Sequence, residues 1–483
     1  MSERRKYRLG FRPCFQNCAL VAGLLTSIAL PGGVAWSQGA SDNQGEQQVA
    51  PQIVQNPIIP GQVDPEPPFT TAKQDAVLSR PRNEYVPIGI EAGGIIRDIK
   101  YLGRGQILES FLLFPKVDTS IVFDSNIFAD ANNKTADFIG TVKPELTLQS
   151  NWDNHAFFIR GFGEFARHLS NSRENFRRHG VEVGSRLDVT EFLTVNLGTG
   201  WQRKTAARGD VDTDAGGDEP TVFYESFGEV RGRYKRDKLL LQGSSKLTVK
   251  DFVDTPAGIA EIENDQNDNW FLENFFRIGW EEWRGTTLFA EPFYRVNRAF
   301  QNPDNAGVTR GFTSKGINFG VTYDASAVTF LEASAGIGIV DPFDGNAKSF
   351  VFFNPGIDLV WNPHDSWTFK AGWDREFTST NSFTVVNNVN VPDVAFQTDA
   401  FSLEAQLEVT YELLASAKLD LNLASTTQNN TTQTGIDTEL ALLWLMNEHS
   451  RLRGFWQFDS LTSNDANREF SKHILGVVLT LHY

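Results

Sequence analysis

Phe401-Ser402-Leu403-Glu404-Ala405-Gln406-Leu407-Glu408-Val409-Thr410-Tyr411 is the stretch that decides the fold. Phe401, Leu403, Ala405, Leu407, Val409 and Tyr411 are apolar or aromatic, and Ser402, Glu404, Gln406, Glu408 and Thr410 between them are polar. Successive side chains of a strand point to opposite faces. One face of this strand therefore suits an apolar medium and the other suits water.

The same two-residue rhythm runs from about Val117 to Tyr483, in segments separated by alternately short and long connections. Mean hydropathy is -0.30, and outside the N-terminus no apolar run approaches the roughly 18 residues that a spanning helix needs. The chain carries 38 Phe and 11 Trp, a balance expected of half-apolar strands with aromatic girdles at two interfaces. A soluble β-sandwich also has alternating strands, but it need not alternate its connection lengths so regularly. The expected fold is all-β: a transmembrane, antiparallel, up-and-down β-barrel.

Eighteen strands are predicted, the first at about Lys116–Asp124 and the last at Phe470–Tyr483. Eight short connections, such as Lys235-Arg236-Asp237 and Asn447-Glu448-His449, alternate with nine longer polar ones, such as 203–220 and 378–398. Bacterial barrels keep short turns in the periplasm and long loops outside, so an even strand count returns both termini to the periplasm. In the last segment Leu475, Val477, Leu479, Leu481 and Tyr483 share one face. A terminal aromatic strand of this kind resembles the signal read by the outer-membrane insertion machinery, which is the expected assembly partner.

Eighteen strands are enough for an aqueous lumen. The residues expected to face it are Glu182, Arg186, Lys246, Lys250, Lys370, Asp374, Glu376, Glu404, Glu408, Lys418 and Asp420. Two readings stay open for them: charge ladders that stabilise the wall, or a track that selects a solute.

The ends of the chain read differently. Residues 1–37 have the order of a secretory signal: Arg4, Arg5, Lys6, Arg8 and Arg12, then apolar Cys18–Leu30, then the Ala35-Trp36-Ser37 cleavage box. Arg4-Arg5 does not argue for twin-arginine export, which carries folded proteins; a barrel must be delivered unfolded, so Sec-dependent export is expected. The only cysteines, Cys14 and Cys18, leave with the signal, and the mature chain then has no thiol. Its net charge falls from -16 to -20, because the signal carries five basic residues and one acid. So acidic a balance argues against nucleic acid as a partner. Residues 38–87 hold eight of the 20 prolines, between Pro51 and Pro87, amid Gln, Asn, Asp and Ser, the composition of a disordered periplasmic segment. Residues 88–115 are expected to form a lead-in or a plug, and 116–483 the barrel.

No G-x-S-x-G, H-E-x-x-H, P-loop or C-x-x-C motif is present. The acidic stretch Asp210, Asp212, Asp214 departs from a calcium loop, with Ala215 and Thr221 where Gly and Glu belong. It reads as a solvated loop facing lipopolysaccharide. No catalytic group, metal site or cofactor is expected.

Pro87-Ile88-Gly89-Ile90-Glu91-Ala92-Gly93 precedes a strand ending Phe123-Asp124-Ser125-Asn126-Ile127-Phe128. With Ser150-Asn151-Trp152-Asp153-Asn154-His155-Ala156 and Trp361-Asn362-Pro363, these residues resemble the P-x-G-I-x-A-G lead-in, Y-D-D-N-I-F turn and hairpins of a proteobacterial outer-membrane family, the putative β-barrel porin 2 type. The resemblance covers about residues 85–483. Phe123 and Ser125 depart from its Tyr and Asp, and an insertion of about fifteen residues, Ile95–Leu108, separates the lead-in from the first strand. The resemblance implies a Gram-negative outer-membrane location, contact with outer-membrane lipid and lipopolysaccharide, and a place beside exopolysaccharide assembly systems, passing polymer with periplasmic export components as partners. The alternatives are a structural or adhesive barrel with a closed lumen and, last, a barrel enzyme.

Overall fold

A computed structural model describes residues 105–483 apart from 153, 207, 209–216, 258–259, 305–306, 325–328, 365, 379–382, 387–388, 393–394, 427–431 and 465–468. The expected signal, the Pro-rich segment, the lead-in motif at 87–93 and Asp210–Asp214 lie outside the described residues.

The wall strands are β1 (Phe111–Asp124), β2 (Asp137–Ser150), β3 (Ala156–His168), β4 (Phe176–Asp188), β5 (Leu193–Thr205), β6 (Val222–Arg236), β7 (Leu239–Phe252), β8 (Asn269–Trp283) and β9 (Thr286–Ala299). They continue as β10 (Gly311–Asp324), β11 (Thr329–Pro342), β12 (Phe350–His364), β13 (Trp367–Thr378), β14 (Phe396–Thr410), β15 (Leu413–Thr426), β16 (Thr432–Asn447), β17 (Ser450–Ser463) and β18 (Phe470–His482). Each pairs antiparallel with its neighbours in the chain. β18 pairs back onto β1 from Lys116↔His482 to Asp124↔Ile474, so the sheet closes into an eighteen-stranded barrel with no free edge.

Alternation sorts the side chains as the sequence predicts. Ile121 is 66% exposed and Ile337 63%, while Val122 and Val340, on the opposite faces of the same two strands, are fully buried. So many apolar side chains on the outer surface are stable only against hydrocarbon.

One boundary differs from expectation. β1 begins at Phe111 rather than Lys116, so the expected division at 115/116 falls inside a strand. The run Phe111-Leu112-Leu113-Phe114-Pro115 hides the alternation, because both faces are apolar there. The described part of the lead-in also has a defined place. Gln106–Leu108 pairs with Phe111–Leu113, and the Gly105 amide donates to the Tyr483 carbonyl at 3.0 Å. This short strand therefore takes over the β1 edge where β18 stops. Residues 105–115 lie in the wall and its rim, not across the lumen.

The motif residues Phe123, Asp124 and Asn126 sit at this seam. Phe123 meets Phe138 on the outside, ring centroids 5.2 Å apart. Asp124, 1% exposed, accepts the Asn126 amide at 2.7 Å and lies 3.7 Å from Lys472 of β18. Asn126 is fully buried. Its Nδ2 donates to the Asp130 carbonyl at 2.8 Å and to the Ser471 carbonyl of β18 at 3.3 Å. The turn thus fastens the first strand to the last. The longer loops carry two small hairpins, Thr255–Ala257 with Ala260–Ile262 and Phe383–Val386 with Val389–Pro392.

Candidate functional site: the lumen wall

Strand parity brings the expected charged residues to the inner face, and register decides their neighbours. Glu182 on β4 stands opposite Arg160 on β3, 3.7 Å away, and Arg160 also holds Glu145 at 2.8 Å. Arg186 pairs with Asp188 at 3.1 Å. Lys370 faces Glu404 at 3.4 Å, Glu404 stands opposite Lys418, and Lys418 reaches Asp420 at 2.8 Å. Lys246 and Lys250 stand opposite Glu229 and Glu225. Asp374, Glu376 and Glu408 have no basic side chain within 4 Å among the described residues. These ladders enclose space that water reaches: the side chains of Lys418 and Lys116 keep 41% and 30% of their exposure although both point inward.

Sequence reasoning missed the most tightly held group. Arg277 on β8 binds Glu291 on β9 at 2.8 Å and Glu332 on β11 at 2.7 Å, and Glu332 also accepts from Thr322 of β10 at 2.9 Å. Reaching from β8 to β11 is possible only across the concave face. Lys472, between Asp124 and Asp459, is a second such centre.

A repeated arrangement accompanies the ion pairs. Phe162, Phe227, Phe289, Phe293 and Phe455 each stand directly opposite a glycine, respectively Gly180, Gly200, Gly320, Gly316 and Gly476. Each ring fills the space a glycine side chain would have taken, as aromatic rings do when they cover strand glycines. A cation lies over each ring: Arg160 over Phe162 at 5.2 Å, Lys246 over Phe227 at 5.7 Å, Arg277 over Phe289 at 3.6 Å, Arg295 over Phe293 at 5.4 Å and Arg453 over Phe455 at 5.5 Å. The rings are held to the wall, which keeps the bore clear; the four arginines are fixed by carboxylates as well as by the ring quadrupole, and Lys246 stands over its ring opposite Glu229.

Charge is unevenly placed around the bore. Inward positions of β4–β7 carry the bases Arg178, Arg186, Lys204, Arg231, Arg233, Lys235, Lys246 and Lys250 against the acids Glu182, Asp188, Glu225 and Glu229. Inward positions of β13–β16 carry the acids Asp374, Glu376, Glu404, Glu408, Asp420, Asp437 and Glu439 against Lys370 and Lys418. Five strands lie between the two sectors on either side, so they stand opposite each other around the circumference. A basic wall therefore faces an acidic wall across the lumen.

Leu475, Val477, Leu479, Leu481 and Tyr483 all face outward, each between 36% and 55% exposed. Among the described residues, no group of three or more His, Cys, Asp and Glu is arranged to hold a metal ion.

A closed barrel with an apolar belt, a charged interior and long loops at one end defines an outer-membrane protein of the porin-like class. The family model described as "Putative beta-barrel porin 2" matches residues 101–483, and the chain belongs to that family. No curated relative matches it in sequence. Among solved structures it is similar to the FrpB iron transporter from Neisseria meningitidis, at 8% identity and TM-score 0.45 over 80% of this chain and 84% of that one. It is also similar to OpdK from Pseudomonas aeruginosa, at 13% identity and TM-score 0.42 over 77% and 99%.

Proposed function

We propose that the barrel is a channel for hydrophilic solutes, with an exported surface polysaccharide as its cargo, and that it has no catalytic role. The observation that carries the channel reading is the inner wall: charged groups at successive levels, rings held flat over glycines, and inward lysines that keep contact with water. A barrel built to be sealed has no need of ion pairs on most strands of its interior, since an apolar filling costs less desolvation. Two walls of opposite charge orient a dipolar or charged chain as it passes, and a hydrated polymer slides over neutralised ladders more readily than over isolated charges. Lumen-facing Glu182, Arg186, Lys246, Lys250, Lys370, Asp374, Glu376, Glu404, Glu408, Lys418 and Asp420 are the residues assigned to this path. Periplasmic export components are the proposed partners, and the outward terminal strand the element read by the insertion machinery.

The polysaccharide cargo rests on family resemblance. Deleting the protein in its host tests it: polymer retained in the periplasm supports export, and unchanged surface polymer removes this cargo while leaving the channel reading to conductance. A closed structural barrel is the second reading. Masses of sugar polymers trapped in proteoliposomes separate the two, because only a channel lets them leave.

A further inference from the structure

We propose that the outer end of the wall at β3–β5 is a binding site for the phosphate groups of an outer-leaflet glycolipid. Three arginines meet there on the lipid-facing side. Arg177 on β4 lies two positions from His179, the partner of Arg203 on β5, and Arg167 on β3 lies two positions from Phe165, the partner of Arg177. Each is thus a diagonal cross-strand neighbour of the next, at roughly 7–8 Å between backbones. All three lie within three residues of the long-loop ends of their strands.

Such a cluster is costly without an anion, since like charges on neighbouring strands repel. Among the described residues no carboxylate lies within 4 Å of any of the three; the hydrogen bond from Arg203 goes to the Arg177 carbonyl. Other lipid-facing bases on the outer rim are held by the protein itself, Lys315 by Asp341 at 3.0 Å and Arg375 by Asp399 at 2.8 Å, while Arg298 lies over the Phe343 ring at 5.4 Å. The ligand is therefore external, and charge complementarity calls for an anion held at headgroup depth. Below the arginines come Phe165, 44% exposed, and Trp201 stacked on Tyr224 with centroids 5.7 Å apart. This is a platform for the apolar part of the same molecule, as aromatic girdles provide at membrane interfaces. Guanidinium groups bind phosphate oxygens by paired hydrogen bonds. The occupant is a bisphosphorylated acylated sugar of the lipopolysaccharide type.

Native mass spectrometry of the full mature chain in detergent, titrated with bisphosphorylated lipid A, tests the site. The triple variant Arg167→Gln, Arg177→Gln, Arg203→Gln is expected to bind about a hundredfold more weakly, and Lys315→Gln as tightly as the parent. If the triple variant does not fold, Arg177→Gln alone is expected to weaken binding roughly fivefold. Undiminished binding by these variants overturns the proposal. So does equal binding of phosphatidylglycerol or inorganic phosphate, because the site would then be a general anion patch.

Discussion

The ring of Phe455 occupies the space directly above Gly476, its opposite partner on the last strand. The pair sits at the seam where β18 returns to β1, among buried Val122, Ile139, Ile474 and Val478. Arg453 lies over the same ring, 5.5 Å from its centroid. Glycine, ring and cation form one stack, and the glycine is required because any side chain would displace the ring.

Substituting that glycine has a direct consequence. Gly476→Val is expected to drive Phe455 into the lumen and to destabilise the barrel by about 1–3 kcal/mol, the usual range for overpacking. Gly180→Val, where an added carbon would meet Phe162 at 2.6 Å, is expected to behave alike. Gly140 and Gly454 have nothing within 4 Å of an added side-chain carbon, so alanine there is expected to be tolerated. Urea unfolding followed by heat-modifiable gel mobility gives all four values. Equal stability in Gly476→Val and Gly454→Ala would show that the ring does not need the glycine.

The seam clasp gives a second expectation. Lys472, 4% exposed, stands between Asp124 and Asp459 at 3.7 and 3.6 Å. Lys472→Met leaves two inward carboxylates without their cation, and breaking a buried pair in this way costs roughly 3–5 kcal/mol. The variant is expected to insert poorly and to lose the compact form on unheated gels. Asn126→Ala removes the bridge to the Ser471 carbonyl and is expected to act in the same direction with a smaller effect. Normal folding of Lys472→Met would show that closure does not depend on this centre.

Depth in the membrane is tested on one strand. Leu403 lies at the middle of β14, 54% exposed, whereas Leu407 lies close to the short turn after Thr410. Leu403→Arg is expected to cost about 2–4 kcal/mol and Leu407→Arg about 0–1, because the penalty falls toward the interface. Glu408→Gln on the other face is expected to be nearly neutral. Folding titrations into lipid vesicles distinguish the three, and equal costs at Leu403 and Glu408 would reverse the facing of the strand.

The barrel was legible in the sequence because its signal is local. Phe401 to Tyr411 needs only parity to be read, and the alternation of short and long connections fixes strand count and direction. β1 was shortened because Phe111 to Phe114 is apolar on both faces. The Gln106–Leu108 strand was missed because three residues carry no period. Facing of Glu404 or Lys418 follows from parity, but their partners depend on register, which sequence does not carry. Arg277 and Glu332 are 55 residues apart, and nothing local joins them. Part of the glycine–ring–cation stacks was visible after the fact: Arg160-Gly161-Phe162 and Arg453-Gly454-Phe455 repeat the same spacing, which puts cation and ring on one face. The covering glycine lies on the next strand and needed the fold.

The central claim, that the lumen is an open, charge-lined path, is tested most directly by single-channel conductance of the purified mature chain in a planar bilayer. Discrete conductance steps are expected, together with a shift toward anions in Glu404→Lys plus Glu408→Lys, which leaves Lys370 and Lys418 without the Glu404 carboxylate. Conductance only after residues 88–104 are removed would mean that the path is gated by that segment. No conductance in either the mature or the shortened chain would contradict the channel and leave a closed structural barrel.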